Sequence, residues 1–277
     1  MSFDSKMSPS LRALAKKHKK EGSSIVHIRV GKNLQAFAIE KDILYRHSPY
    51  LKGELKDCTE EIGPASIDLP KTEVGTFKLF WVWLYKQKLA SVDEETVQWA
   101  AETGEAVEDV DSEKVDNVDE TNDKDLIKFE TESKTTDEKK KEKFAMFCAH
   151  RMANLLKLHV FADWSRIPAL KNECIKRYYE FKEASGYIAT PWVSYVWKHT
   201  NKDSLLRKFF LDMLTWEMDP SLFETNPRDF PDNVRLELLV NMGYVIQIAR
   251  HGSLRLENGN PMKDLTKYFE KVNEEAT

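Results

Sequence analysis

Residues 37–55, FAIEKDILYRHSPYLKGEL, carry the reading that decides the fold. Glu40, Asp42, Tyr45, Arg46, His47 and Ser48 fall within nine residues, enough polar chemistry for an acid–base site. Interleaved with them, Ile43, Leu44, Tyr50 and Leu51 have the spacing of helices with one apolar side. Ser48-Pro49 is a helix start, because proline is favoured in a first turn. Consecutive helical residues point about 100° apart, so a run of polar neighbours does not converge on one reacting atom unaided. The stretch therefore reads as two short helices, EKDILYR and SPYLKGEL. Ile43, Leu44, Tyr50 and Leu51 turn inward, and Glu40, Arg46 and His47 lie on a solvated or partner-facing side.

Working outward, SIVHIRV (24–30) alternates Ile25, His27 and Arg29 against Ser24, Val26, Ile28 and Val30. With LQAFAI (34–39) and the turn at Gly31 to Asn33 it predicts a β-hairpin. ASIDLP (65–70) is a short strand closed by Pro70. TEVGTFKLFWVWLYKQ (72–87) is a helix apolar nearly all round, which places it in a core. Before the hairpin, residues 8–20 form a short helix with Pro9 in the first turn and a narrow apolar stripe. Between 90 and 143 acids outnumber bases roughly two to one and no period is sustained. About 104–138 reads as a disordered acidic insert, since too little apolar surface is present to offset chain entropy. Trp99, just before it, tethers 95–103 to the fold. Helical spacing returns at Phe144, Phe147, Cys148, Met152, Leu155 and Leu156; it stops at Arg166–Pro168 and restarts at once. Later helices are announced by Pro191, Pro227, Pro231 and Pro261, and no strand is expected after 144. One small sheet with helices gathered around it is an α+β layout, followed by an all-helical extension.

The 277 residues are 41% hydrophobic and 32% charged with a net charge of −4, consistent with folded parts plus a solvated segment. Three scattered cysteines, Cys58, Cys148 and Cys174, are not a disulfide framework. No apolar run is long enough to span a bilayer, and the N-terminus lacks the apolar region of a secretory signal. The expected location is intracellular, nuclear or cytoplasmic.

Three blocks in order resemble a BTB/POZ domain. Leu44, Ser48, Pro49 and Tyr50 match the family's helix end after the hairpin. Leu69, Pro70, Phe77, Phe80, Trp83, Leu84 and Tyr85 match its strand–helix block. Leu155, Leu158, Phe161, Ala162, Asp163, Ile167, Pro168, Leu170 and Ile175 match its later helix pair. The stretch SYVWKHTNKDSLLRKFFLDMLTWEMD is similar to the helical tail of fungal members. The resemblance implies a basic N-terminal helix or tail (1–22), a BTB/POZ-like domain (23–183) interrupted by the acidic insert, and a helical extension (184–277). Ser24 and Glu40 stand where many members carry Asp and His, so the match does not extend to the polar groove pair of transcriptional members.

What the resemblance implies about function is protein–protein interaction, as an adaptor or scaffold without catalysis or cofactor. Adaptors of cullin-type ubiquitin ligases carry a hydrophobic–x–acid motif after the second helix of the pair. Leu55, Lys56 and Asp57 match it in type and place, with Leu55 as an apolar anchor at a cullin groove. BTB domains commonly self-associate, and Met7, Leu11 and Leu14 on the N-terminal helix are the dimer contacts this implies; monomer and homodimer both stay open. Lys16 to Lys20 lie in LAKKHKK, which fits a solvated helix end, a phosphate contact or a nuclear import signal, the last serving a transcriptional or chromatin cofactor. The insert offers Ser112, Thr121, Ser133 and Thr135 to phosphorylation, or its acids to a basic partner. Cys148 and His159 are eleven residues apart on one helix, roughly 16 Å of rise, too far for one metal ion. Cys148 and Cys174 are expected as buried thiols, and His150 and His159 as surface imidazoles. Of the tryptophans, Trp81, Trp83, Trp164, Trp192 and Trp197 sit mostly at core spacing, with one or two available to anchor a partner. No phosphate-binding glycine loop, nucleophile elbow or H-E-x-x-H occurs.

Overall fold

The computed structural model describes residues 25–56, 66–103, 136–251 and 259–272. It is mixed α+β. β1 (Ile25–Val30) and β2 (Gln35–Glu40) pair antiparallel, with Ile28 opposite Phe37 and Val26 opposite Ile39. Alternation sends Val26, Ile28, Val30, Phe37 and Ile39 to one buried face. Gly31 makes the turn at a positive φ of 76°, which glycine adopts freely, and its N–H reaches the Leu69 carbonyl. Leu34, read as the first strand residue, belongs to the turn instead at φ 48°.

Two short helices follow, α1 (Lys41–His47) and α2 (Pro49–Lys56). They cross over to β3 (Ser66–Leu69), which pairs parallel to β1, giving the sheet order β2-β1-β3. Helix α3 (Val74–Lys86) lays Phe77, Phe80, Trp83 and Leu84 against the buried face, with the Phe37 and Phe77 rings 4.8 Å apart. Gln87 caps its end in the left-handed conformation, its side-chain amide donating to the Leu84 carbonyl.

Helix α4 (Val92–Thr103) is held by Trp99, whose ring lies 5.7 Å from both Phe144 and Phe147. The stretch 104–135 lies outside the described residues. Helix α5 (Thr136–Trp164) begins inside the span read as insert. The reason is local: Glu and Lys are good helix formers, and an exposed charged turn extends a helix already anchored at Phe144. α6 (Pro168–Ser185) returns along α5 with Pro168 in its first turn.

Beyond it come α7 (Val193–His199), α8 (Leu205–Glu217), α9 (Leu222–Thr225) and α10 (Asp232–Arg250). The starts read at Pro227 and Pro261 deliver only single 3₁₀ turns, Pro227–Asp229 and Pro261–Lys263. Among the described residues, no strand follows residue 144. The C-terminal segment is sewn down by Tyr268, which is buried and donates to Asp212, and by Asn172, which binds both backbone groups of Glu270. No helix among the described residues is long and apolar enough to cross a membrane.

Candidate interaction surfaces

The polar cluster of the opening stretch disperses. Ser48 is fully buried: its Oγ accepts from the Leu51 N–H at 3.1 Å, capping α2, and donates to the Ser165 carbonyl at 2.7 Å. His47 is half-buried with its ring 5.5 Å from Trp83; burial, then the Arg46 charge, lowers its pKa. Asp42 and Arg46 are exposed. Leu44 and Leu51 are core residues, while Ile43 and Tyr50 are only partly covered.

Leu55 is 2% exposed and packs in the core, which corrects its reading as a surface anchor. The helix pair must bury one side on the sheet, and Leu51 and Leu55, four residues apart, share that side. In this conformation the Leu55 side chain is not available to a cullin groove. The Lys56 side chain, Asp57, Met7, Leu11, Leu14 and the lysine-rich 14–20 stretch lie outside the described residues, as do Ser112, Thr121, Ser133 and Thr135.

Cys148 and Cys174 are buried thiols; burial, with the Glu95 charge second, pushes Cys148 up to about 12. His150 is exposed, but His159 is 2% exposed and not a surface imidazole. Its place on α5 faces α6, and neither ring nitrogen has a hydrogen-bond partner among the described residues. Among those residues no three of His, Cys, Asp and Glu gather as a metal site.

Two surfaces stand out. A cleft of about 510 Å³ opens between the end of β3, the start of α3, the last turns of α5 and α7. Leu69, Val160, Phe161 and Trp164 give it an apolar floor. Lys157 is committed to Glu73 at 2.7 Å and lies 5.2 Å over the Trp192 ring. Trp164 is 41% exposed at the rim, stacked edge-on against Tyr50 at 4.9 Å, with the Arg166 guanidinium 5.9 Å from the Tyr50 ring. Trp83 and Trp197 are core residues. Trp81 and Trp192 are half-buried, so Trp164 is the most exposed of these five tryptophans.

The second surface is α10. Val234 and Leu238 bury one side of it against α8 and α7. Its opposite side exposes Leu236, Leu239, Val240, Tyr244, Ile246 and Ile248, with Leu236 at 62% and Leu239 at 69%. At 100° per residue these span an arc of about 200°. Between Leu238 and Ala249 the helix carries no charge. Glu237, the nearest acid, lies at the edge of this arc and is held by Arg207 and Trp197. A helix apolar on every side is ordinarily enclosed. The signal was present in VRLELLVNMGYVIQI (234–248), whose apolar positions fill both faces. Reading the helix from its proline start alone overlooks it.

Compared with known proteins, the chain matches no family model, no curated protein and no solved structure.

Proposed function

We propose that this chain is a non-catalytic protein-interaction module of BTB/POZ-like design, an adaptor or scaffold that works through its surface. The observation that carries this reading is the exposed apolar side of α10. Contiguous exposed apolar side chains on this scale mark protein contact sites, because leaving them in water forfeits roughly 25 cal/mol for each Å². The order of elements supports the family part of the reading: hairpin, helix pair, strand, two helices, and then a helical hairpin split from them by the 104–135 stretch. The Trp164–Tyr50–Arg166 group at the cleft rim adds the residue types that dominate interface energetics.

The test is in-cell crosslinking of the tagged full chain beside a Leu239→Glu/Tyr244→Glu variant, with circular dichroism to show that both are folded. The wild type is expected to give crosslinked species that the variant loses. Identical crosslinked species from both would remove α10 as the working surface.

A further inference from the structure

We propose that the exposed side of α10 is covered by a second copy of this chain, the two helices packing antiparallel about a two-fold axis at residue 241. This rests on the reading of α10 as an interaction surface and names its occupant.

The charge pattern selects that occupant. Asp232 and Arg250 are both exposed and are the first and last residues of α10; within the chain Asp232 lies 3.9 Å from Arg235, a long exposed contact with which Arg250 of a second copy competes. They lie eighteen residues apart, five full turns at 100° per residue, so they share one line along the helix, about 27 Å from end to end. That line runs along the apolar side, between Leu239 and Gly243. A partner must therefore present an uncharged apolar strip with a base at one end and an acid at the other. A copy turned end for end presents this strip. Asp232 then meets Arg250 of the second copy, twice over, by symmetry.

The shape agrees. An axis at 241 sets Leu239 opposite Gly243 of the second copy, and Leu236 opposite Ile246. A Cβ added at Gly243 would meet nothing within 4 Å in the single chain, so nothing inside the protomer calls for glycine there. Glycine inside a helix costs about 1 kcal/mol against alanine. Across the two-fold it leaves a gap into which the Leu239 side chain fits, letting the helix axes approach. An interface between copies has to clear about 1,000 Å² of buried surface.

The experiment is sedimentation equilibrium of the full chain at micromolar concentration with four variants. Wild type is expected to dimerise. Leu239→Glu should weaken the dimer at least tenfold with an unchanged fold. Gly243→Leu should raise the melting temperature of the protomer by improving the helix while also weakening the dimer at least tenfold. Asp232→Arg should weaken it roughly three- to tenfold, as expected for exposed charge pairs, and Asp232→Arg/Arg250→Asp should restore it. A dimer indifferent to Leu239→Glu, or a double charge swap that fails to restore what the single one lost, overturns the proposal. A monomeric wild type also overturns it. If that monomer still gives crosslinks that depend on Leu239, the interaction surface stands and only its occupant is wrong; if it gives none, both fall.

Discussion

At His159 the imidazole is enclosed with no hydrogen-bond partner among the described residues, and its protonated form has nothing to replace lost water. Burial first, and the neighbouring Lys171 charge second, lower its pKa from 6.5 to about 3, with Asp163 offsetting part of this. Above pH 6.5 the ring is neutral in both folded and unfolded chains and adds no pH dependence. Below it the unfolded chain takes up a proton that the folded chain refuses, so stability is lost progressively as pH falls from 6.5 toward 3. At about 1.4 kcal/mol for each pH unit, the loss between pH 7 and pH 4.5 is roughly 2–3 kcal/mol. Urea titrations of wild type and His159→Leu at the two pH values check this. The variant should lose less stability than wild type by that amount, and equal losses would mean the ring is not held neutral. Ser48 gives the complementary case, a buried hydroxyl satisfied on both sides. Ser48→Ala strands the Ser165 carbonyl and the Leu51 N–H, and should cost about 1–3 kcal/mol in the same titration.

On α10, adjacent residues separate folding from association. Leu238 is 1% exposed, and Leu238→Ala should cost about 2–5 kcal/mol of stability by opening a cavity. Leu239→Ala, one step round the helix, should change the stability of the protomer by less than about 0.5 kcal/mol. Thermal melts at dilute concentration distinguish them, and equal costs would show that the outer side is packed within one chain. The elements themselves were legible wherever one physical rule governed: period two and a glycine turn for β1 and β2, a serine–proline start for α2, an all-apolar run for α3. Legibility failed where two rules competed. Leu55 satisfies a surface-motif spacing and a core spacing at once, and burial on the sheet decided it. Pro227 and Pro261 announce helices, yet Pro231 stops the first within four residues, and after Pro261 the Asp264 carboxylate accepts from the Thr266 N–H and starts a separate 3₁₀ turn, Leu265–Tyr268. His159 follows the core spacing of α5, but imidazole chemistry suggested the surface. The outer side of α10 was readable from its composition, whereas the cleft was not, since its walls come from three separate segments, 68–76, 157–164 and 195–199.

At the scale of the whole molecule, α6 joins what the sequence divides at 183. One side of it packs on α5; the other meets α8, where the Tyr178 ring lies 5.8 Å from Phe209 and 5.2 Å from Phe210. Polar contacts follow the same seam: Lys182 pairs with Glu217 at 2.5 Å, and the Tyr179 hydroxyl donates to Glu217 at 3.0 Å. The C-terminal segment closes over it, with Lys171 bridging Asp163 and Glu270, and with the Tyr268 ring 5.4 Å from Phe209. Among the described residues, the buried apolar side chains from Val26 to Tyr268 form one contiguous cluster. One contiguous core predicts cooperative unfolding as one unit. The protomer should melt in a single transition seen alike by far-ultraviolet dichroism and by tryptophan fluorescence. Tyr268→Ala, far in sequence from the sheet, should lower that single transition by about 3–5 kcal/mol rather than release a local segment. Hydrogen exchange gives the decisive readout. Amides of β1, whose ladder lies at the opposite end of the chain, should lose protection in Tyr268→Ala by the same free energy as those of α8. Protection lost in α8 but kept in β1 would show two independently stable halves, and the division at 183 would then be physical as well as sequential.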